Sequence, residues 1–485
     1  MKKWIIKLVS LLLAIITPMV ALTIVVENVS NQYDKTFFAE MIDKYELLKN
    51  TKEKKIVIIG GSSLPFGLKS DVIDDEFEDY KVVNYGLYAA LGTKFMLDTS
   101  KVNISKGDIV IIAPEISEQT YSTYFNAETV LQATDGYHPM HRYLSLDNNE
   151  QLFAKYMSYS YTKLDYAIKK NKPDPVGIYR HDSFNEYGDI DVIRPSNIML
   201  NGIDITTGIN PSPDLVNDDF INMINSYIRF VKRKGATPYF NFSPCSDVAI
   251  TASHSIREQF ENKIEKNIKC ETLMSLDSCL LNYQYFYDTN FHLNTVGAYQ
   301  FTNLLVAALK DKLEIEHGPV IDLDPPPLDS DEVPEIIPGD PTPFEDYRGE
   351  PNNDYLECFN YTLSGKSYMI DSVKDEYKDM ENVILPAVYE GANIRMIASR
   401  AFEGCTNLKH IYVGNNYRVM EEESFYGCES LEGIHLFQMD SNMISVPFEG
   451  LLNGCNVSVK IYIPKGSNYN VGYTWEAYSS YFVEV

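Results

Sequence analysis

No two of the seven cysteines form a C-x-x-C pair, and an odd thiol count suits a chain that does not rely on disulfides. The missing pair argues against a structural zinc site. Gly60-Gly61-Ser62-Ser63 does not continue into G-x-x-x-x-G-K-[ST], which argues against a phosphate loop. Bases are scarce: 42 Lys+Arg stand against 68 Asp+Glu, a net charge of −26. Broad nucleic-acid binding needs a basic footprint and is excluded. What is present is apolar: 45% hydrophobic residues rule out global disorder, and 485 residues imply more than one domain.

Lys2, Lys3 and Lys7 precede an apolar run from Leu8 to Val26. At about 1.5 Å per residue it would extend roughly 28 Å, close to one bilayer core. The flanking bases place the N-terminus inside and the rest outside. A cleaved signal peptide is the alternative, but the run is long for one and Ala21-Leu22-Thr23 is a poor cleavage site. Residues 1–30 are therefore expected to be a single-pass anchor in the cell membrane, with the bulk of the chain extracellular. Phe37, Phe38, Met41, Ile42, Tyr45 and Leu48 recur at helical spacing, so residues 31–52 read as a stalk helix that packs on the next domain.

Residues 53–313 alternate apolar strand runs with helical patterns. Lys55–Ile59, Tyr80–Gly86, Asp108–Ala113 and Thr237–Phe242 are the strands, and continuous apolar strands separated by helices imply a parallel sheet covered on both faces. Residues 118–214 are Tyr-rich and without clear period, an insertion of the kind that forms lids or binding loops. Its tyrosines suit either sugar stacking or packing. His138 and His141 lack a suitable third ligand nearby, so a loop is preferred to a metal site.

Residues 314–357 hold fourteen acids, one base and nine of the 23 prolines, so half of the total charge lies in 44 residues. This composition predicts an extended linker. Beyond it, Ala401-Phe402-Glu403-Gly404-Cys405 through Ile411 returns as Ser424-Phe425-Tyr426-Gly427-Cys428 through Ile434, an offset of 23. Gly454-Cys455 with Val459 and Ile461 is a looser third copy. A period in the twenties is that of a leucine-rich solenoid, in which Cys405, Cys428 and Cys455 would form a buried thiol ladder. These residues resemble the BspA-like leucine-rich repeat, which implies that 358–485 are repeats of a kind found on bacterial surface proteins, where they make adhesive, glycan or protein contacts.

The chemistry concentrates at two places. The first strand runs into Gly60-Gly61-Ser62-Ser63, and Asp288-Thr289-Asn290-Phe291-His292 lies near the end of the same domain. Ligands of α/β folds sit at the carboxyl ends of the strands. A serine there needs a base; His292 supplies one, and Asp288, four residues earlier on a helical turn, could orient the ring.

The chain here resembles the SGNH (GDSL-type) hydrolase family. Gly60-Gly61-Ser62 matches its Gly-Asp-Ser with Gly61 in place of Asp, Asn84-Tyr85-Gly86 matches its second block, and Asp288 and His292 match its last. The resemblance implies a flavodoxin-like three-layer α/β sandwich. It also implies Ser62 as nucleophile with Ser63 as the alternative, His292 as base, Asp288 as orienter, and the N–H groups of Ser62 and Gly86 as the oxyanion hole. The third block, where an Asn would donate, reads Ala113-Pro114-Glu115. Glu115 cannot donate unless protonated. Divergent membrane-anchored members, resembling the lipoteichoic-acid D-alanylation and alginate-acetylation proteins, depart in similar ways.

Two functions are expected from this reading. One is an extracytoplasmic serine esterase or O-acyltransferase acting on acyl esters of a cell-envelope polysaccharide, with no cofactor or metal. The other is a non-catalytic surface adhesin whose repeats bind a protein or glycan. In a joint version the repeats dock the enzyme on its polymer.

Overall fold

The computed structural model describes residues 2–175, 177–326, 336, 341–365, 367–447, 450–469 and 475–485. It is mixed α/β with parallel sheets and two separate hydrophobic cores, one on each side of the acidic stretch.

Helix α1 (Lys2–Glu27) contains Pro18. Among the described residues no helix is long and apolar enough to cross a membrane. Several apolar side chains of the Leu8–Val26 run that motivated the expected span, those of residues 8, 9, 11–13, 15 and 19, lie outside the described set.

The stalk pattern resolves into a 3-10 turn over Phe37–Ala39 and helix α2 (Glu40–Asn50). Met41, Tyr45 and Leu48 are fully buried on one stripe in the first core, as the i, i+4, i+7 spacing requires. Lys44 is buried with them and donates to Asn84 O at 2.9 Å, pinning α2 to the sheet.

That sheet contains β1 (Lys55–Gly60), β2 (Lys81–Gly86), β3 (Ile109–Ala113), β4 (Thr237–Phe240) and the short strand Glu271–Thr272. The order is β2-β1-β3-β4 followed by Glu271–Thr272, all parallel. This is the 2-1-3-4-5 order of doubly wound folds. Ile56–Ile59 are buried on both faces, which explains the unbroken apolar run. The register pairs Gly60 with both Gly86 and Ala113, so three carboxyl ends finish level at one edge.

The insertion contains more helix than its pattern predicts. Asn126 caps Ala127–Thr134 and Ser145 caps Leu146–Lys169, each through its side chain. Exposed Leu146, Phe153, Met157, Tyr161 and Ile168 obscure the amphipathic period of the longer helix.

Both ends of the acidic stretch lie against neighbours. Leu323 N–H donates to Gln300 at 2.9 Å, while Tyr347 is buried and Phe344 stacks on Tyr412 at 5.3 Å. Residues 327–335 and 337–340, the centre of the expected spacer, lie outside the described residues.

Beyond them, strands Asn382–Ile384, His410–Val413, Gly433–Leu436, Lys460–Ile463 and Phe482–Glu484 stack in parallel. His410 pairs with Gly433 and Gly433 with Lys460, reproducing the 23-residue repeat and the longer third step. Cys405, Cys428 and Cys455 are free thiols. Cys428 Sγ donates to Phe402 O at 3.5 Å, and Cys455 Sγ to Phe425 O at 3.1 Å. Cys428 and Cys455 thus each tie their turn to the phenylalanine of the turn before.

Candidate active site

Strand β1 ends at Gly60, and after Gly61 the chain turns through Ser62 into helix α3 (Ser63–Gly67). Ser62 therefore sits at the carboxyl edge of the sheet. Its Oγ lies 2.8 Å from His292 Nε2, and His292 Nδ1 lies 2.9 Å from Asp288 Oδ1. All three predicted residues meet. The turn that joins Asp288 to His292 is not the helical one expected from their spacing. Phe286 and Leu293 form an antiparallel bridge, Tyr287 N–H donates to His292 O at 2.7 Å, and His292 N–H donates to Thr289 Oγ1 at 3.0 Å. A hairpin-like loop with a Thr latch brings the carboxylate back under the ring.

Three residues outside the sequence motifs complete the site. Tyr179, from the insertion, donates to Asp288 Oδ2 at 2.6 Å, and its oxygen lies 3.0 Å from His292 Nδ1. Burial, then the charge of Asp288, holds the Tyr179 phenol well above its usual range, so it stays a donor. Phe66, one turn into α3, stacks on the imidazole with centroids 4.0 Å apart and planes 9° apart. Arg194 lies over the Phe66 ring at 5.3 Å and donates to the carbonyls of Phe66, Ile190, Val192 and Leu293. Burial lowers its pKa to about 10, which still leaves it charged at neutral pH. Only Phe66 had a sequence signal, its place in the turn after the serine. Tyr179 and Arg194 stand in a stretch without period.

The expected oxyanion donors are arranged differently. Gly86 N–H donates to Asn84 Oδ1 at 3.1 Å. Asn84 itself is a tie, donating to Leu64 O and to buried Asp189. Gly86 must be glycine because a Cβ there would stand 2.6 Å from Leu64 Cβ. Glu115 Oε1 lies 3.1 Å from Ser62 Oγ and accepts from Ser63 N–H at 2.7 Å. The alternative nucleophile Ser63 is fully buried, and among the described residues its Oγ has no hydrogen-bond partner and so no base. Ser62, Glu115 and His292 are each about one-twentieth exposed, a site closed to bulk water.

The other polar clusters lie apart from Ser62. His138 reaches Glu27 at 2.7 Å, and burial followed by His138 lowers His141 to about 4. Glu40, Asp43 and His181 each bring one ligand atom within 4.8 Å of the others, and His181 Nε2 is 2.7 Å from Asp43 Oδ2.

No curated protein matches the chain. Among solved structures it is similar to a leucine-rich repeat protein from Bacteroides ovatus, at 16% identity over 23% of this chain and 37% of that one, TM-score 0.15. It is similar to protein YXIM of Bacillus subtilis at 13% identity over 54% and 57%, TM-score 0.26. It is similar to a T. pallidum leucine rich repeat protein at 16% identity over 24% and 71%, TM-score 0.17. The chain thus spans about a third and just over half of the first two. Residues 376–476 match the BspA type leucine rich repeat region in six copies, and this part of the chain is such a region.

Proposed function

We propose that the first domain is an SGNH-like serine esterase or O-acyltransferase and that its substrate is an acyl ester of a cell-envelope polysaccharide. The observation that carries this reading is the chain Ser62–His292–Asp288, with links of 2.8 and 2.9 Å. In the reaction, Ser62 Oγ attacks the ester carbonyl carbon while its proton passes to His292 Nε2. Asp288 keeps the Nδ1 proton in place and stabilises the imidazolium. Collapse of the tetrahedral intermediate expels the alcohol, which takes the proton back from His292. Water or a sugar hydroxyl then resolves the acyl-enzyme by the reverse sequence. The apolar N-terminal stretch and the surface character of BspA-type repeats support a place at the cell envelope outside the membrane, with residues 376–476 holding the polymer. Labelling of the full chain with a fluorophosphonate, with Ser62→Ala as control, tests the reaction. No labelling, or labelling that persists in the variant, counts against it. Fractionation with protease shaving of intact cells tests the location.

The second reading is a surface binding protein that uses its repeats and does not catalyse. Glu115 beside Ser62 Oγ, where an oxyanion needs donors, favours it. It predicts glycan or protein binding by the full chain that Ser62→Ala leaves intact.

A further inference from the structure

Catalysis at Ser62 needs a hydrogen-bond donor beside the developing oxyanion, and the carboxyl group of Glu115 stands there instead. Glu115 Oε1 is 3.1 Å from the nucleophilic oxygen and ties up the N–H of Ser63 at 2.7 Å. Its place is built. A Cβ on Gly61 would stand 2.6 Å from Glu115 Oε1 and 2.8 Å from its carboxyl carbon. The bare Gly61 and the long acid at 115 are therefore complementary, and a side chain at 61 would drive the carboxylate out. Among the described residues no cation pairs with Glu115. Its neighbours are the Ser62–His292–Asp288 chain with Tyr179, and the buried Cys245 thiol, which burial pushes up to about 12 and keeps neutral. Arg194 lies over the Phe66 ring and spends its guanidinium on four backbone carbonyls.

The serine carries one hydrogen and faces two acceptors. Ionised, Glu115 competes with His292 Nε2 for the Ser62 proton, and its charge opposes the negative oxygen of the tetrahedral intermediate. Protonated, it keeps Oε1 as acceptor for Ser63 N–H, and Oε2 carries a hydrogen toward the oxyanion. We propose that Glu115 is the positioning residue that locks and unlocks Ser62, the site being shut when this carboxylate is ionised and reactive when it is protonated. The inference rests on the reading of Ser62 as nucleophile. In the open state the acylation step is unchanged in balance: Oγ–C forms, the carbonyl π pair moves to oxygen, and the Ser62 proton goes to His292. Glu115 donates one hydrogen bond and transfers nothing.

The test is hydrolysis of p-nitrophenyl acetate by the full chain across pH, for wild type, Glu115→Gln and Ser62→Ala, with fluorophosphonate labelling in parallel. Gln is the same length and donates at every pH. The expected result is a wild-type rate that rises as pH falls until imidazole protonation ends it. Glu115→Gln should lack the first limb and exceed wild type at neutral pH by at least about tenfold, given the 10²–10³ that one oxyanion donor contributes. Equal rates and profiles, or a slower Glu115→Gln, overturn the lock and leave Ser62 as nucleophile. No Ser62-dependent turnover or labelling at any pH in either protein overturns both readings. The wild-type profile needs no variant that could fail to fold, and a wild type flat toward acid overturns the lock by itself.

Discussion

The Tyr179 hydroxyl donates to Asp288 Oδ2 at 2.6 Å. The insertion therefore holds the second carboxylate oxygen and leaves Oδ1 to His292 Nδ1. A carboxylate held by two donors keeps the ring in one tautomer and one orientation, which is what a base needs before it meets a serine. Tyr179→Phe removes the donor and keeps the ring packing against Phe37 and Phe66. The expected outcome is a fall of about tenfold in kcat with KM unchanged, because the loss acts on the orientation of the base. A rise in KM alone would place Tyr179 in substrate binding instead.

Arg194 spends its guanidinium on four backbone carbonyls drawn from α3, the insertion and the His292 loop. It is the knot that sets Phe66 against the imidazole. Arg194→Met keeps the volume and removes the donor to three buried carbonyls, those of Phe66, Ile190 and Leu293, and to the part-buried one of Val192. Hydrogen bonds to charged groups contribute about 1.5–3 kcal/mol each, so a loss of at least about 3 kcal/mol is expected. In a domain of this size that is roughly 6–12 °C in Tm. Differential scanning calorimetry reads it directly, and an unchanged Tm would show that the carbonyls find other partners.

Glu40 is buried, and burial, only partly offset by Lys44, raises it from 4.5 to about 7. The folded state therefore binds more protons than the unfolded state between those values. This stability is present below about pH 4.5 and is lost as pH rises through about 7. His181, raised by its bond to Asp43, adds to the loss with the same sign. Glu40→Gln should flatten the fall of Tm over that window while leaving the part of His181 that its bond to Asp43 sustains. A Tm profile of the variant that runs parallel to wild type would assign the slope to other groups.

The sequence disclosed what depends on period and order. Four apolar runs gave four of the five strands of the main sheet. The paired Phe-Gly-Cys-Leu-Ile copies gave the solenoid, because a repeat writes its geometry into a fixed offset. Ser62, His292 and Asp288 were legible because each stands in a short motif at a strand or loop end. Tyr179 and Arg194 were not, since they act from irregular chain whose place is set by tertiary packing. The arrangement of Glu115 was half legible. Its lack of a hydrogen to donate followed from its side chain, but its fit against Gly61 needed coordinates. The expected helical turn between Asp288 and His292 failed for a local reason: Thr289 offers its hydroxyl to His292 N–H and closes a tighter loop.

In the solenoid, Phe402 and Phe425 pack on each other at 5.5 Å, and their carbonyls receive the thiols of the next turn. Phe425→Ala opens a cavity in a fully buried position and should cost about 3–5 kcal/mol. Repeats couple mainly to their neighbours, so the loss should remain within the second core. Hydrogen exchange is the measurement: peptides from residues 376–476 should lose protection while those covering β1 to β3 keep theirs. The thiols report the same boundary. Cys405 and Cys428 are buried, and burial holds both above the usual thiol range, Cys405 at about 11. They should resist a maleimide in the native protein and react with it in Phe425→Ala at a rate set by local opening. Exchange that spreads into β1 to β3 would show instead that the two cores unfold as one unit.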